Sequence, residues 1–163
     1  CALPILNTLT RNVLGYSGLI PFFVLTLLLL LSQGAYNSIY LTAFCGYSAI
    51  IISFIAGSFW GQVVHLDAVN KAVLLILSNV ISLLAWAGFL LVSSNFLITG
   101  FLFLLALFIS LYWIEKHLLL PFISTSKHKA TPSYLRLRRQ LTLMVCSCHV
   151  FILIHLLNMR FSV

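Results

Sequence analysis

The stretch AIIISFIAGSFWG, residues 49–61, has no charged side chain and places a small residue at every fourth position. Those small residues are Ala49, Ser53, Gly57 and Gly61. Residues four apart are neighbours on the surface of an α-helix, and small residues let membrane helices approach closely. The stretch therefore predicts a membrane helix with a packing face for another helix of this chain, or alternatively for another subunit.

The composition of the whole chain supports a membrane location. Of its 163 residues, 62% are hydrophobic and 7% are charged, which leaves too few polar side chains to cover a water-soluble protein. The apolar residues form long continuous runs rather than alternating with polar ones, which favours helices over the strands of a membrane barrel. The sequence predicts an all-α polytopic membrane protein formed by one domain, residues 1–163.

Five runs are close to the length of about 20 apolar residues that crosses a bilayer. They cover residues 14–31, 36–60, 72–92, 96–114 and 141–159, with polar breaks between them. Pro21 lies early in the first run, where it removes a backbone donor and is expected to bend the helix. We therefore predict five transmembrane helices.

The basic residues support the number of spans and give their orientation. When the breaks are assigned alternately to the two membrane faces, one face receives eight of the nine Lys and Arg residues and the other only Arg160. Because loops on the inner side carry such an excess, the N-terminus is predicted inside, in the matrix or cytoplasm, and the C-terminus outside. The eight are Arg11, Lys71, Lys116, Lys127, Lys129, Arg136, Arg138 and Arg139. Topology accounts for the basic charge, so nucleic-acid binding is not indicated.

The segment from Lys127 to Arg139 concentrates much of this charge just before the last span. It either determines topology or contacts anionic lipid headgroups, for instance those of cardiolipin, or a protein partner. The candidate contact residues are Lys127, Lys129, Arg136, Arg138 and Arg139.

His149 is the strongest candidate for chemistry inside the membrane. It follows Arg139 by ten residues and so lies about 15 Å into the bilayer, near the midplane, where an ionisable side chain is costly. We expect it to face the protein and form a hydrogen bond with another helix; a site shared with a partner subunit and a proton-relay or quinone contact are the alternatives. The expected polar partners are Thr26, Ser53, Asn79 and Ser82. Asn79 is itself costly in lipid unless it is paired.

No metal or cofactor site is predicted. Cys146 shares a helix face with His149, but no other span has a histidine within its core to complete a metal or haem site. Six polar residues of the basic face can converge, yet two isolated acids form no catalytic motif, and we interpret Glu115 and Lys116 as ordinary helix-end residues. The six are His65, Asp67, Lys71, Glu115, Lys116 and His117. Phosphate-binding and hydrolase motifs do not occur either, so the chain is not expected to be an enzyme.

The opening stretch also carries a family resemblance. It is similar to the SFLGGxxWG block of the domain of unknown function 3429 family of small membrane proteins, with Ala56 at a usual glycine and Phe59 where members tend to have His or Arg. The blocks GYSGLIPFF from Gly15, YLRLRRQLTL from Tyr134 and HLLLP from His117 resemble the family too. The matching residues of the first block are Ser53, Phe54, Gly57, Trp60 and Gly61. The resemblance covers about residues 14–155 and implies an inner-membrane protein, bacterial or mitochondrial, without an established activity.

Two functional hypotheses follow from these observations. The first is a non-catalytic structural, accessory or assembly subunit of a larger inner-membrane complex, mitochondrial and respiratory, with other membrane subunits and anionic lipids as partners. The second is a small membrane redox protein, a quinone- or proton-handling enzyme or a carrier that uses His149. The first is favoured because the helices are apolar throughout, the loops of one face are very short, and no competent active site is visible.

Overall fold

A computed structural model describes residues 3–32, 36–63, 71–94, 96–119 and 132–161. Within these ranges the protein is all-helical. The helices are α1 (Leu3–Ser17), α2 (Ile20–Leu31), α3 (Tyr36–Val63), α4 (Lys71–Ser93), α5 (Leu97–Ile114) and α6 (Pro132–Phe161), and a π-helical turn (Glu115–Leu119) continues α5. Five helical segments, residues 12–31, 38–61, 72–93, 97–118 and 134–158, are long and apolar enough to cross a membrane. The predictions of an all-helical membrane protein and of five such segments are confirmed.

The first segment is interrupted rather than continuous. Helix α1 ends at Ser17 and α2 begins at Ile20, with Pro21 in the first turn of α2. Proline is well placed there because the first helical N–H groups have no partner within the helix. The Tyr47 hydroxyl of α3 donates a hydrogen bond to the carbonyl of Gly18, 2.9 Å away. This contact satisfies a carbonyl that lipid would leave without a partner, so α3 stabilises the interruption at residues 18–19, just before Pro21.

The helices form one packed bundle. Helix α3 lies against α2, α4 and α5, α6 lies against α1, α2 and α5, and α4 also packs on α5. The largest fully buried side chains of the bundle include four phenylalanines of α2, α3 and α5. They are Phe22, Phe44, Phe59 and Phe101. The centre of the bundle is therefore aromatic, and the buried His149 described below lies there.

Helices α4 and α5 approach each other closely at a pair of glycines. A Cβ atom on Gly100 would lie 2.8 Å from both the Gly88 carbonyl oxygen and the Val92 backbone nitrogen. A Cβ on Gly88 would lie 3.0 Å from side-chain atoms of Phe103 and Leu104. Small residues permit this kind of contact between membrane helices. We expected such a contact on α3, but the glycines that make it are Gly88 of α4 and Gly100 of α5.

The predicted packing stripe on α3 is correct only in part. Ala49 is buried and Ser53 is half-buried, but Gly57 and Gly61 are exposed, and no described atom beyond the helix backbone lies within 4 Å of an added Cβ on either. With 3.6 residues per turn, each step of four residues rotates by about 40°, so the stripe turns about 120° between its ends. It therefore leaves the core, and the residues that face the bundle at this level are Ile52, Ala56 and Phe59.

The basic segment before the last span is partly helical, contrary to its assignment to a break between spans. Helix α6 begins at Pro132, so Arg136, Arg138 and Arg139 occupy its early turns. Lys127 and Lys129 lie outside the described residues. These arginines therefore lie on a helix that packs against α5, and residues at the end of α5 are their neighbours.

Candidate functional site

His149 lies in a cage of four phenylalanine rings at the centre of the bundle. Its side chain is fully buried. The ring centroids of Phe44, Phe101, Phe108 and Phe22 lie 4.8, 5.0, 5.4 and 6.2 Å from that of the imidazole. The cage is built by α2, α3 and α5 around a residue of α6, so four helices meet at this one side chain.

Both ring nitrogens of His149 have polar neighbours. Nδ1 lies 2.9 Å from the Val145 carbonyl oxygen, and Nε2 lies 3.3 Å from the Ser48 hydroxyl. Because a carbonyl can only accept, Nδ1 carries the hydrogen, and Nε2 of the neutral ring accepts from Ser48. The same hydroxyl lies 2.8 Å from the Phe44 carbonyl oxygen, so its single proton has two possible acceptors. The site suits a neutral imidazole, since the groups around it are aromatic rings, a hydroxyl and a carbonyl.

The sequence located His149 correctly but not its partner. The residue faces the protein and reaches another helix, as expected, yet the partner is Ser48 rather than Thr26, Ser53, Asn79 or Ser82. The hydroxyls of Thr26 and Ser82 donate instead to carbonyls of their own helices. The sequence does not fix how far α3 is shifted along α6 or how it is rotated against it, and both together bring Ser48 rather than Ser53 to His149.

Replacing His149 by leucine is expected to lower the free energy of unfolding in detergent by only about 1–2 kcal/mol. Ser48 retains the Phe44 carbonyl as an acceptor, so the substitution leaves no buried donor without a partner. Replacement by alanine is expected to cost more, about 2–5 kcal/mol, because it opens a cavity between the rings. Thermal or denaturant unfolding of both variants checks this order. A leucine variant less stable than the alanine variant would contradict it.

Glu115 is another buried polar side chain, and its role was not predicted from the sequence. It begins the π-helical turn after α5, and only 2% of its surface is exposed. Arg138 of α6 donates from Nε to its Oε2 atom at 2.7 Å, and the Tyr134 hydroxyl donates to Oε1. Both carboxylate oxygens are therefore engaged by α6. Arg138, a candidate from the sequence for contact with lipid headgroups or a protein partner, pairs with Glu115 inside the chain, and 13% of its side chain is exposed.

The two arginines next to Arg138 in the early turns of α6 point elsewhere. Arg136 and Arg139 are exposed, as is Lys116 of the π-helical turn. Together with Tyr112 and Leu135 they line one surface cleft of about 330 Å³. We call this the basic cleft, and the end of the bundle that contains it the basic end. The cleft is positively charged, because three cationic side chains from two neighbouring elements line it.

The remaining polar candidates of the basic end do not form a common site with Glu115 in the described part of the chain. Lys116 and His117 are exposed, and the His117 ring packs on Trp113 with centroids 4.9 Å apart. His65 and Asp67, and the side chain of Lys71, lie outside what the structure describes. Among the described residues, no group of three or more His, Cys, Asp or Glu side chains is arranged to hold a metal ion.

Asn79, the other polar residue singled out inside a span, lies on the outer face of α4. Its side chain is exposed, and its amide donates to the Leu75 carbonyl of the same helix at 2.9 Å. The large apolar side chains exposed on the same face include Ile76, Leu83 and Trp86. Asn79 was expected to pair within the bundle, but in the described residues it meets no other helix.

Comparison with known proteins connects this architecture to a family. The family model described as "Protein of unknown function (DUF3429)" matches residues 9–154. The chain belongs to the DUF3429 family. No curated protein and no solved structure matches the chain. The match contains His149, Ser48, Glu115 and Arg138, so the His149–Ser48 contact and the Glu115–Arg138 ion pair both lie within the matched residues.

The residues that carry the DUF3429 resemblance lie mostly on the outside of α3. Phe54, Gly57, Trp60 and Gly61 are exposed, whereas Phe59, the departure from the family pattern, is buried in the core. A basic residue at this position would place a charge in the bundle, and phenylalanine avoids that cost here. The block thus describes an outer helix surface of this DUF3429 protein more than it describes its core.

Proposed function

We propose that this DUF3429 protein is a non-catalytic subunit of a larger membrane complex, with an accessory or assembly role, and that it docks through the outer faces of α3 and α4. The single observation that carries this proposal is Asn79, a polar side chain exposed on a membrane-spanning helix. Subunit contact is the arrangement that gives such a residue a partner.

Asn79 lies seven residues inside the segment 72–93, about 10 Å from its end. Its carbonyl oxygen and the second amide hydrogen have no partner among the described residues beyond the bond to Leu75. Polar atoms left without a partner in hydrocarbon cost up to several kcal/mol. Asn and other polar side chains hydrogen-bond across membrane helices and stabilise their association, so a helix placed against this face of α4 would relieve the cost.

The open glycines of α3 support the same proposal. A glycine within a helix costs about 1 kcal/mol relative to alanine, and Gly57 and Gly61 gain no contact in the described bundle that would offset this. A second helix can approach closely at such positions. Phe54, exposed about one turn before Gly57 on α3, would give the contact a large side chain to pack against.

The engagement of the buried polar groups supports a non-catalytic role. His149 is enclosed by four rings and bound to Ser48, and Glu115 is held by Arg138 and Tyr134. These are the groups on which the alternative, a proton- or quinone-handling protein, would depend. In their observed positions they join helices to each other, which is a structural task.

The proposal includes a location and an orientation. The excess of Lys and Arg at the basic end fits the inner side of a membrane, with the N-terminus inside and the C-terminus outside. The family resemblance supports an inner membrane, and we place the protein in that of mitochondria, as part of a respiratory complex, with the bacterial inner membrane as the alternative.

Replacing Asn79 by leucine is expected to reduce the amount of protein recovered in a large complex about three- to twentyfold, the range that corresponds to one hydrogen bond between membrane helices. The isolated protein should lose no stability, because only a bond within α4 is removed. Size-resolved detergent extracts of native membranes measure the effect.

Ser110→Leu is the matched control, because Ser110 is exposed on α5 and its hydroxyl is satisfied by the Ala106 carbonyl. It should leave the complex unchanged. Recovery of Asn79→Leu at the wild-type level, or an equal loss with Ser110→Leu, would contradict docking through Asn79.

A further inference from the structure

The basic cleft brings three cationic side chains into one concavity. Lys116 comes from the π-helical turn after α5, and Arg136 and Arg139 lie three residues apart on α6, where side chains are neighbours. Like charges at this spacing destabilise a helix. An anion bound between them would turn this repulsion into attraction, and the volume of about 330 Å³ has room for a phosphate group and its substituents.

The charge of the cleft is not neutralised by the described residues. The chain contains two acidic residues. Glu115 is turned into the bundle, with both oxygens engaged by Arg138 and Tyr134, and Asp67 lies outside the described ranges. Of the three arginines in the early turns of α6, Arg138 therefore pairs with Glu115 inside the bundle, whereas Arg136 and Arg139 face the cleft.

The position of the cleft selects a lipid as the source of the anion. One membrane-spanning segment ends at residue 118 and the next begins at residue 134, so Lys116 and Arg136 lie at the level of the headgroups. Tyr112 and Leu135 give the cleft an apolar side, and Trp113 is an exposed aromatic residue at the same level, as is usual at membrane interfaces.

We propose that the basic cleft binds the phosphate of an anionic phospholipid. The guanidinium groups of Arg136 and Arg139 donate paired hydrogen bonds to phosphate oxygens, and Lys116 adds a point charge. The acyl chains extend along the apolar surface of the helices. The site goes beyond the proposed docking role and does not depend on it, because it uses neither Asn79 nor the glycines of α3.

The test compares two variants that remove three positive charges each. Lys116→Gln/Arg136→Gln/Arg139→Gln removes the cleft cations, and Arg11→Gln/Lys127→Gln/Lys129→Gln removes three other cations of the same predicted membrane side. Each protein is purified in neutral detergent with added cardiolipin or phosphatidylcholine, and retained lipid is counted by native mass spectrometry. We expect wild-type protein and the second variant to prefer cardiolipin at least tenfold, and the cleft variant less than about threefold.

A conservative double variant keeps the test informative if the triple variant does not fold. Arg136→Lys/Arg139→Lys retains the charge but loses the paired donors, so it should retain an intermediate preference. Equal retention of cardiolipin by the cleft variant and the wild type would overturn the proposal, and so would an equal loss in both triple variants, which indicates general charge attraction.

Inorganic phosphate distinguishes the lipid from a soluble anion. Added alone at the concentration of the lipid, it should leave the melting temperature of the wild type unchanged, whereas cardiolipin should raise it. An equal rise with inorganic phosphate that also requires Arg136 and Arg139 would overturn the assignment to a lipid.

Discussion

Replacing Arg138 by glutamine is expected to lower the free energy of unfolding by about 3–5 kcal/mol, the usual cost of removing one partner from a buried ion pair. The Glu115 carboxylate, 2% exposed, would be left with the Tyr134 hydroxyl alone. Glu115→Gln should cost less, because Arg138 is 13% exposed and lies at the basic end, where its long side chain can turn toward water.

The double variant Glu115→Leu/Arg138→Met separates the ion pair from the packing. Replacing a buried pair by apolar residues of similar volume is often neutral or stabilising, so the double variant should be more stable than Arg138→Gln. Unfolding in detergent without added lipid measures all three, with Arg139→Gln, an exposed neighbour, as a control that should change stability by less than about 0.5 kcal/mol. Equal stability of Arg138→Gln and this control would contradict the buried pair.

The second large effect is expected at the contact between α4 and α5. Gly100→Ala should destabilise the protein by about 1–3 kcal/mol, and Gly100→Val by more, because overpacking forces the surrounding structure to shift. The atoms nearest to the added Cβ include the backbone of Gly88 and Val92, 2.8 Å away, which cannot move aside as a flexible side chain can. The two helices would have to separate, and their other contacts would weaken.

Gly57→Ala is the matched control for Gly100→Ala. It lies within a helix too, but no described atom beyond the helix backbone is within 4 Å of its added Cβ, so the better helix propensity of alanine should stabilise the isolated protein by about 0.5–1 kcal/mol. Denaturation of both variants in the same detergent gives the comparison. Similar effects at positions 57 and 100 would show that α4 and α5 are farther apart than described.

The hydropathy of the sequence was sufficient to predict the number of spanning segments and their approximate positions. A run of apolar residues must be about 20 long to cross the hydrocarbon, and this requirement depends on no other part of the chain. The start of the last helix at Pro132 was missed, because the apolar run begins later, at Leu141. Basic residues such as Arg136 interrupt an apolar run, but they do not end a helix.

Contacts between helices were predicted less well, since they depend on the rotation of each helix about its own axis. Small residues on α3 suggested a packing face, but the stripe rotates away from the core, whereas Gly88 and Gly100 lie on different helices and form no motif in the sequence. For Glu115 a signal was present: it is one of two acidic residues in the chain, directly after an apolar segment, and three arginines follow at 136–139. Which arginine pairs with it required the structure.

Migration of the wild-type protein in its native membrane extract tests the proposed function most directly. The tagged protein is solubilised in mild detergent, separated on a native gel, and its band is analysed by mass spectrometry. The docking account predicts a band much larger than the 18.2 kDa chain that contains other membrane subunits in constant ratio, and loss of this band in Asn79→Leu. Migration of the wild type at the size of a single chain in its detergent micelle would contradict the account.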